Sequence, residues 1–154
     1  MSSEMINIGE VKIFRSPTVM TCFGLGTCIG LFLQERFTGF SGAAHIFSSQ
    51  EGDKEAGKFY EVKEAIDELI GQISNQITGT PFFRAKLAGG ANVLGSYSNA
   101  GDKNAERVIT ELINRGVFIA AKDVGGVHCR TALFDSGKGT MMVRTPESRD
   151  YKIF

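Results

Sequence analysis

Two long stretches of the chain carry apolar residues at spacings of three and four, which is the pattern of an amphipathic helix. In the first, the apolar positions run over residues 62–77. In the second they run over residues 105–113, with Asp102 or Asn104 as the predicted N-cap and Gly116 as the stop. Each helix has a single apolar stripe, so each is predicted to pack one face against a core.

The other apolar runs are short and predict β-strands. Residues 11–14 alternate apolar and polar positions, whereas residues 28–33 form the continuous apolar run typical of a buried strand. The predicted strands comprise residues 11–14, 18–23, 28–33, 40–47, 82–88, 117–122, 130–134 and 140–144. Many strands and two long helices predict an α/β (α+β) fold, in which the helices pack on a sheet core.

The polar segments between and after these elements predict irregular structure. Residues 48–58 are predicted to form a surface loop. Residues 145–154 are predicted to form a loosely ordered tail.

Length and charge narrow the class of protein. A chain of 154 residues fits one domain over residues 1–154. The 17 basic and 17 acidic residues balance, so we expect no general nucleic-acid binding. The longest nearly apolar run, residues 22–33, falls short of the ~20 residues of a spanning helix, so we expect no membrane insertion. Three cysteines without a CxxC pair point to the reducing cytoplasm.

Cys28 and His45 are the residues best suited to chemistry. Cys28 follows the glycine-rich residues 24–27, a turn that can leave backbone N–H groups free beside the thiol. A thiolate next to free N–H donors is a nucleophile beside an oxyanion hole. An imidazole on a neighbouring strand would lower the thiol pKa and later carry a proton. A packed core role stays open for both residues.

Metal and cofactor sites find little support in the sequence. The three cysteines and two histidines lack the ligand spacing of a zinc site. The glycine-rich residues 24–30 lead into a strand, so a dinucleotide phosphate would have no helix N-terminus to sit on. We therefore expect no metal and no cofactor. Gly89 and Gly90 end a predicted strand and either form a turn or line a site.

Four motifs in order carry a family resemblance. They are Gly24-Leu25-Gly26-Thr27-Cys28, Ala44-His45-Ile46, Leu87-Ala88-Gly89-Gly90-Ala91, and Asp123-Val124-Gly125-Gly126 with Arg130. With their spacing, they resemble the CheD family of chemoreceptor glutamine deamidases over about residues 9–144. The resemblance implies a single three-layer α/β/α sandwich with a mixed sheet.

The resemblance also implies a reaction and its partners. Family members hydrolyse glutamine side chains to glutamate on the cytoplasmic helices of chemoreceptors, the methyl-accepting chemotaxis proteins. Some relatives act on receptor methyl esters, and some bind a CheC-type phosphatase. No metal or organic cofactor takes part. Carried over to this chain, Cys28 matches the nucleophile and His45 the base. Oxyanion binding and site lining fall to the following residues: Gly26, Thr27, Gly89 and Gly90.

One position departs from the family pattern. The family's third catalytic residue is a threonine six positions before the nucleophile, and this chain has Cys22 there, next to Thr21. Thr21, Cys22 and Thr27 are therefore the candidates for the third role. Because Cys22 and Cys28 are two thiols near one another in sequence, their pairing under oxidation is a further hypothesis.

Two other functions compete with the enzyme. A CheD-like adaptor with weak or no catalysis would bind chemoreceptors or a CheC-type phosphatase without turning glutamine over. A papain-like protease fits poorly, because the chain is short and only His128 lies far downstream of Cys28. Reactivity of Cys28 would distinguish the enzyme from the adaptor.

Overall fold

The computed structural model describes residues 1–50 and 57–154. Of the predicted surface loop, residues 51–56 lie outside the described residues. The described part folds into strands and two α-helices, with a short 3-10 turn before the second helix. In chain order the elements are β1 (Ser2–Met5), β2 (Val11–Phe14), β3 (Thr18–Leu25), β4 (Ile29–Glu35), β5 (Ser41–Ile46), α1 (Val62–Ser74), β6 (Phe83–Gly89), α2 (Ala100–Asn114), β7 (Phe118–Val124), β8 (Arg130–Asp135), β9 (Thr140–Arg144) and β10 (Lys152–Ile153).

The strands form two five-stranded mixed sheets. The helix-side sheet has the order β2-β5-β4-β6-β7, antiparallel except for the parallel pair β6 and β7. The outer sheet has the order β1-β3-β8-β9-β10, antiparallel except for the parallel pair β1 and β3. Helix α1 packs across β2 and β5, and α2 packs across β7 and β4.

The alternation of side chains along β4 shows how the layers meet. Ile29, Leu31 and Leu33 are buried against the two helices. Phe32 points the other way, into the core between the sheets, where its ring stacks on Phe134 at 5.5 Å. A strand buried on both faces reads as a continuous apolar run, which is why residues 28–33 show no alternation.

The predicted α/β class and the two long amphipathic helices are confirmed. The layers run helix, sheet, sheet, so a second sheet takes the place that the α/β/α arrangement assigns to helices. The reason is that both apolar helix stripes are used on one face of the helix-side sheet. Alternate residues of β3 and β8 cover its other face.

Helix boundaries differ from the apolar stripes. Helix α1 ends at Ser74, before the last apolar position of its stripe, and α2 begins at Ala100, ahead of both predicted caps. The first turn of α2 lies against the strand end after β6. A Cβ on Gly101 would stand 2.4 Å from the carbonyl oxygen of Ala91, so this contact requires glycine. The N-cap residue itself makes no side-chain hydrogen bond, so contact with the sheet and side chains from outside the helix together hold the first turn of α2.

The two terminal strands have no alternating pattern that would predict them. Strand β1 pairs in parallel with β3, and β10 pairs with Met142 and Val143 of β9. Residues 145–154 thus contain a paired strand, and their loose order stays a prediction. Neither helix of the described part is long and apolar enough to cross a bilayer.

A buried carboxylate ties the β4–β5 turn to the start of β6. Glu35 is 2% exposed and accepts hydrogen bonds from the backbone N–H groups of Phe37, Thr38 and Phe82 at 2.9–3.0 Å, and from the Thr38 hydroxyl. Burial alone would raise the pKa of Glu35, but these hydrogen bonds outweigh it and lower the pKa below its usual value. Glu35 is therefore a structural carboxylate at the end of the sheet remote from Cys28.

We expect Glu35→Gln to lower the free energy of unfolding by about 2 kcal/mol at neutral pH, because the new amide N–H₂ would face the Phe82 N–H. A carboxyl whose pKa is lowered in the folded state stabilises above its unfolded pKa of about 4.3 and ceases to do so as the pH falls through the folded value. The wild-type advantage should thus vanish in acid. Urea unfolding at several pH values measures this, with exposed Glu106→Gln as the matched control. An advantage that persists in acid would contradict this role.

Candidate active site

Cys28 and His45 come from adjacent antiparallel strands and lie on the same face. His45 on β5 stands opposite Gly30 of β4, and Cys28 lies two residues before Gly30. Such diagonal neighbours have Cβ atoms within about 7–8 Å, which is within reach of long side chains. Both residues are buried, with 7% and 3% of their surface exposed. The fold therefore brings the thiol and the imidazole together.

Gly30 makes room for a third side chain in this layer. A Cβ at Gly30 would stand 3.1 Å from the Sγ atom of Cys22 and 3.1 Å from Leu25. Cys22 on β3 thus projects from the outer sheet onto the β4 backbone between Cys28 and Phe32. The structure thus places Cys22, Cys28 and His45 in one layer between the sheets. Both of these cysteines, like Cys129 elsewhere in the chain, are free thiols.

The imidazole of His45 is held by a turn near the N-terminus. Its Nδ1 atom lies 2.9 Å from the carbonyl oxygen of Ile6. A carbonyl can only accept a hydrogen bond, so Nδ1 carries the proton and Nε2 keeps its lone pair. Nε2 is buried and has no hydrogen-bond partner in the described part of the chain. The His45 backbone is held as well, by Gly9 and Glu10 at 2.9 and 3.1 Å. The result is one tautomer with a free base at Nε2.

The loop that carries Cys28 has its carbonyl groups bound, whereas its N–H groups find no acceptor in any other described residue. The Gly26 oxygen accepts from the Ala91 N–H at 2.8 Å, and the Cys28 oxygen from the Gly90 N–H at 2.9 Å. The Thr27 oxygen accepts from a helix side chain at 2.9 Å. Across the described residues, the N–H groups at positions 26 and 27 have no acceptor, and the N–H at position 28 contacts only its own sulfur. Free backbone donors beside a thiol are what an oxyanion hole requires.

Gly89 and Gly90 support this loop from behind. Both have positive φ values, 116° and 65°. A Cβ on Gly89 would stand 2.2 Å from the Cys28 oxygen, and one on Gly90 would stand 2.8 Å from the Gly101 oxygen. Only glycine fits either position without displacing backbone. The strand end after β6 therefore lies directly against the backbone of Cys28.

Burial sets the protonation of both groups. Burial raises the pKa of the Cys28 thiol, and the hydrogen bond from its own N–H offsets this only in part. Burial lowers the pKa of His45, against the opposing effects of the Ile6 carbonyl and the Glu10 charge. The expectation that an imidazole would lower the thiol pKa is therefore wrong for the unliganded protein, because loss of solvent dominates. At neutral pH the pair is a thiol and a neutral imidazole.

The candidates for the third role lie in different places. Thr21 sits between buried Met20 and Cys22 on β3 and faces the opposite side of the outer sheet. The structure does not bring its side chain to His45. Cys22 is in the layer, but burial foremost, and the neighbouring Cys28, raise the pKa of its thiol strongly. Thr27 is half-buried and directly precedes Cys28 in the nucleophile loop.

The remaining cysteine and histidine are elsewhere. Cys129 is half-buried, and exposed His128 pairs with Glu147 at 3.3 Å. Among residues 1–50 and 57–154, no group of three or more His, Cys, Asp or Glu side chains is placed to hold a metal ion. A polar cleft opens beside the nucleophile loop, and its lining includes Thr27, Phe47, Ser48, Ser49, Ser98 and Lys103.

Two features of this site escaped the sequence analysis. The Ile6 carbonyl is a backbone group, so no residue type could signal its contact with His45. Asn104, predicted as a helix cap, instead lies inside α2 and bonds the Thr27 oxygen. The available signal was an asparagine on the apolar side of α2, next to Ala105 and Val108.

Comparison with known proteins indicates independently which family the chain is similar to. The family model described as CheD chemotactic sensory transduction matches residues 43–145. The probable chemoreceptor glutamine deamidase CheD of Desulfitobacterium hafniense is 34% identical over 151 residues, covering 93% of this chain and 94% of that protein. The corresponding protein of Archaeoglobus fulgidus is 30% identical, covering 94% of each chain. The chemoreceptor glutamine deamidase CheD of Thermotoga maritima is 28% identical, covering 92% of this chain and 90% of that protein.

Proposed function

The chain belongs to the CheD family, and on that premise we propose that it is a chemoreceptor glutamine deamidase with Cys28 as nucleophile and His45 as base. The resemblance carried by four sequence motifs is thereby confirmed. The observation that carries the proposed chemistry is the Nε2 atom of His45, which has no partner among the described residues and lies in the same buried layer as a thiol beside N–H groups that bind no other described residue.

The first half of the reaction forms a thioester. As the Cys28 sulfur attacks the amide carbon of a glutamine side chain, its proton passes to Nε2 of His45. The carbonyl oxygen becomes an oxyanion, which the free N–H groups of residues 26–28 stabilise. The C–N bond then breaks, and the imidazolium of His45 gives its proton to the departing nitrogen, which leaves as ammonia. The glutamyl group remains on sulfur.

The second half releases glutamate. His45 takes a proton from a water molecule as its oxygen attacks the thioester carbon. The C–S bond breaks, the Cys28 sulfur takes the proton back, and the side chain leaves as a carboxylic acid, whose own proton passes to the released ammonia in solution to give carboxylate and ammonium. The net reaction consumes one water for each amide and yields one ammonia, so it needs no cofactor. A methyl ester would follow the same route with methanol as the leaving group.

The third role falls to the Ile6 carbonyl, since it fixes the His45 tautomer that the base requires. Cys22 is then a packing residue, and we expect Cys22→Ala to keep kcat/KM within about tenfold while lowering stability by roughly 1 kcal/mol. Steady-state deamidation and thermal unfolding of the variant measure both effects. Loss of activity without loss of stability would show that the Cys22 thiol itself orients His45.

The substrate class comes from the relatives, which are named for chemoreceptors. We propose receptor glutamines as substrates, cytoplasmic location, and action on receptor methyl esters where these are present. A CheC-type phosphatase is proposed as a partner on the resemblance alone. The adaptor alternative is less favoured, because the relatives carry the name of an enzyme and the nucleophile and base are both present here.

The proposal is tested with a receptor cytoplasmic fragment from the same genome. After incubation with the protein, peptide mass spectrometry locates glutamine-to-glutamate conversion, and an ammonia assay follows its rate. We expect conversion at a small set of glutamines with equal ammonia release. A fragment that binds while all of its glutamines remain intact would favour the adaptor.

A further inference from the structure

All three side-chain hydrogen bonds of Asn104 go to the two segments that carry the proposed nucleophile and base. The side chain is on α2 and is 4% exposed. Its Nδ2 group donates to the Thr27 oxygen at 2.9 Å and to the Phe47 oxygen at 3.2 Å. Its Oδ1 atom accepts from the Ser49 N–H at 2.9 Å. None of these bonds caps the helix to which Asn104 belongs.

The bond to Thr27 controls the direction of the next N–H. The Thr27 oxygen and the Cys28 N–H belong to one planar trans peptide group and point in opposite directions. Because Asn104 holds the oxygen toward α2, the Cys28 N–H faces away from the helix. That N–H has no acceptor in the described part of the chain, apart from the contact with its own sulfur that lowers the thiol pKa.

The other two bonds reach the strand that carries the base. Phe47 and Ser49 follow His45 by two and four residues, just beyond the end of β5. One carboxamide therefore joins the nucleophile loop and the end of the histidine strand to the same point on α2. The first turn of α2 is itself fixed against the sheet by the close contact at Gly101.

We propose that Asn104 is a positioning residue, which orients the Cys28 N–H as an oxyanion donor and sets the nucleophile loop against the strand that carries His45. The inference rests on the proposed function for its reaction. Its geometric part, the control of Cys28 by Asn104, is independent of any substrate.

Asn104→Asp tests the proposal with almost no change in shape. The carboxylate keeps an acceptor for the Ser49 N–H but places an oxygen against the Thr27 and Phe47 carbonyls. We expect kcat to fall by about 10²–10³-fold, the range for loss of one oxyanion donor, with KM changed far less. We also expect slower alkylation of Cys28 by iodoacetamide at neutral pH, since the displaced N–H no longer favours the thiolate.

Asn114→Asp is the matched control, because it makes the same change at the exposed last residue of α2. Asn104→Ala removes all three bonds without adding charge and should show both effects if the aspartate variant does not fold. Wild-type kcat in either folded variant would overturn the proposal. So would a fall in kcat with unchanged alkylation, or the loss of cooperative unfolding in both variants. The protein could convert no receptor glutamine and still show alkylation of Cys28 that depends on Asn104. That result would support the positioning role and contradict the proposed function.

Discussion

Replacing Cys28 with alanine is expected to abolish glutamine conversion, with a loss of roughly 10⁴-fold or more in kcat. Losses of this order follow removal of a nucleophile in enzymes that work through a covalent intermediate. In the proposed mechanism the Cys28 sulfur carries the glutamyl group, and the other thiol of the layer, Cys22, is fully buried with a pKa raised strongly by burial, so it is not expected to take over. Rates on the receptor fragment at saturating substrate measure the effect.

Two comparisons isolate the chemistry of Cys28. Cys28→Ala removes one small buried atom, so its folding and its binding of the receptor fragment should survive. Cys129→Ala removes a thiol that lies outside the buried layer and should leave the rate unchanged. Equal losses of kcat in the two variants would contradict a role of Cys28 in the mechanism. Conversion of glutamine by Cys28→Ala at the wild-type rate would contradict it as well.

Replacing His45 with glutamine is expected to lower kcat by about 10²–10⁴-fold, the contribution of a positioned general base. The glutamine amide can still donate to the Ile6 oxygen, but it offers no base where Nε2 stood. The same change at exposed His128, which pairs with Glu147, should leave the rate unchanged.

The pH dependence of kcat/KM tests the role of His45 as the base. Burial lowers the pKa of His45, so the imidazole stays neutral and able to accept a proton to lower pH than an ordinary histidine at about 6.5. The acid limb of wild-type kcat/KM should therefore lie below that value, and His45→Gln should lack this limb. An acid limb retained in the variant would assign the base to another group.

The fold was predictable where one face of an element dominates its sequence. The two apolar stripes predicted both helices, and the continuous run at residues 28–33 predicted the strand buried between layers. Strand β1 was not predictable, because Ser2–Met5 has no apolar alternation and is held by its parallel partner. The division of the strands into two sheets was not predictable for a related reason. Strand patterns show that a face is buried but not which layer covers it.

Only those parts of the site that depend on residue type could be predicted from the sequence. Cys28 and His45 could be proposed from their motifs, but the partner of Nδ1 is the backbone of Ile6, which has no signature. Asn104 was predicted to be a helix cap because asparagine is common at that position. In the structure it lies inside α2, where its side chain binds the Thr27 oxygen. The direction of the Cys28 pKa depends on burial, which the motif does not encode.

Trapping the covalent intermediate on Cys28 would show directly whether this thiol is the nucleophile. Wild-type protein is mixed with the receptor fragment in ¹⁸O-labelled water, quenched in acid and digested, and the peptides are identified by mass spectrometry. We expect a thioester between the Cys28 peptide and a receptor glutamine peptide, and one labelled oxygen in each new glutamate. New glutamate that forms without any Cys28 adduct, and equally fast in Cys28→Ala, would contradict it.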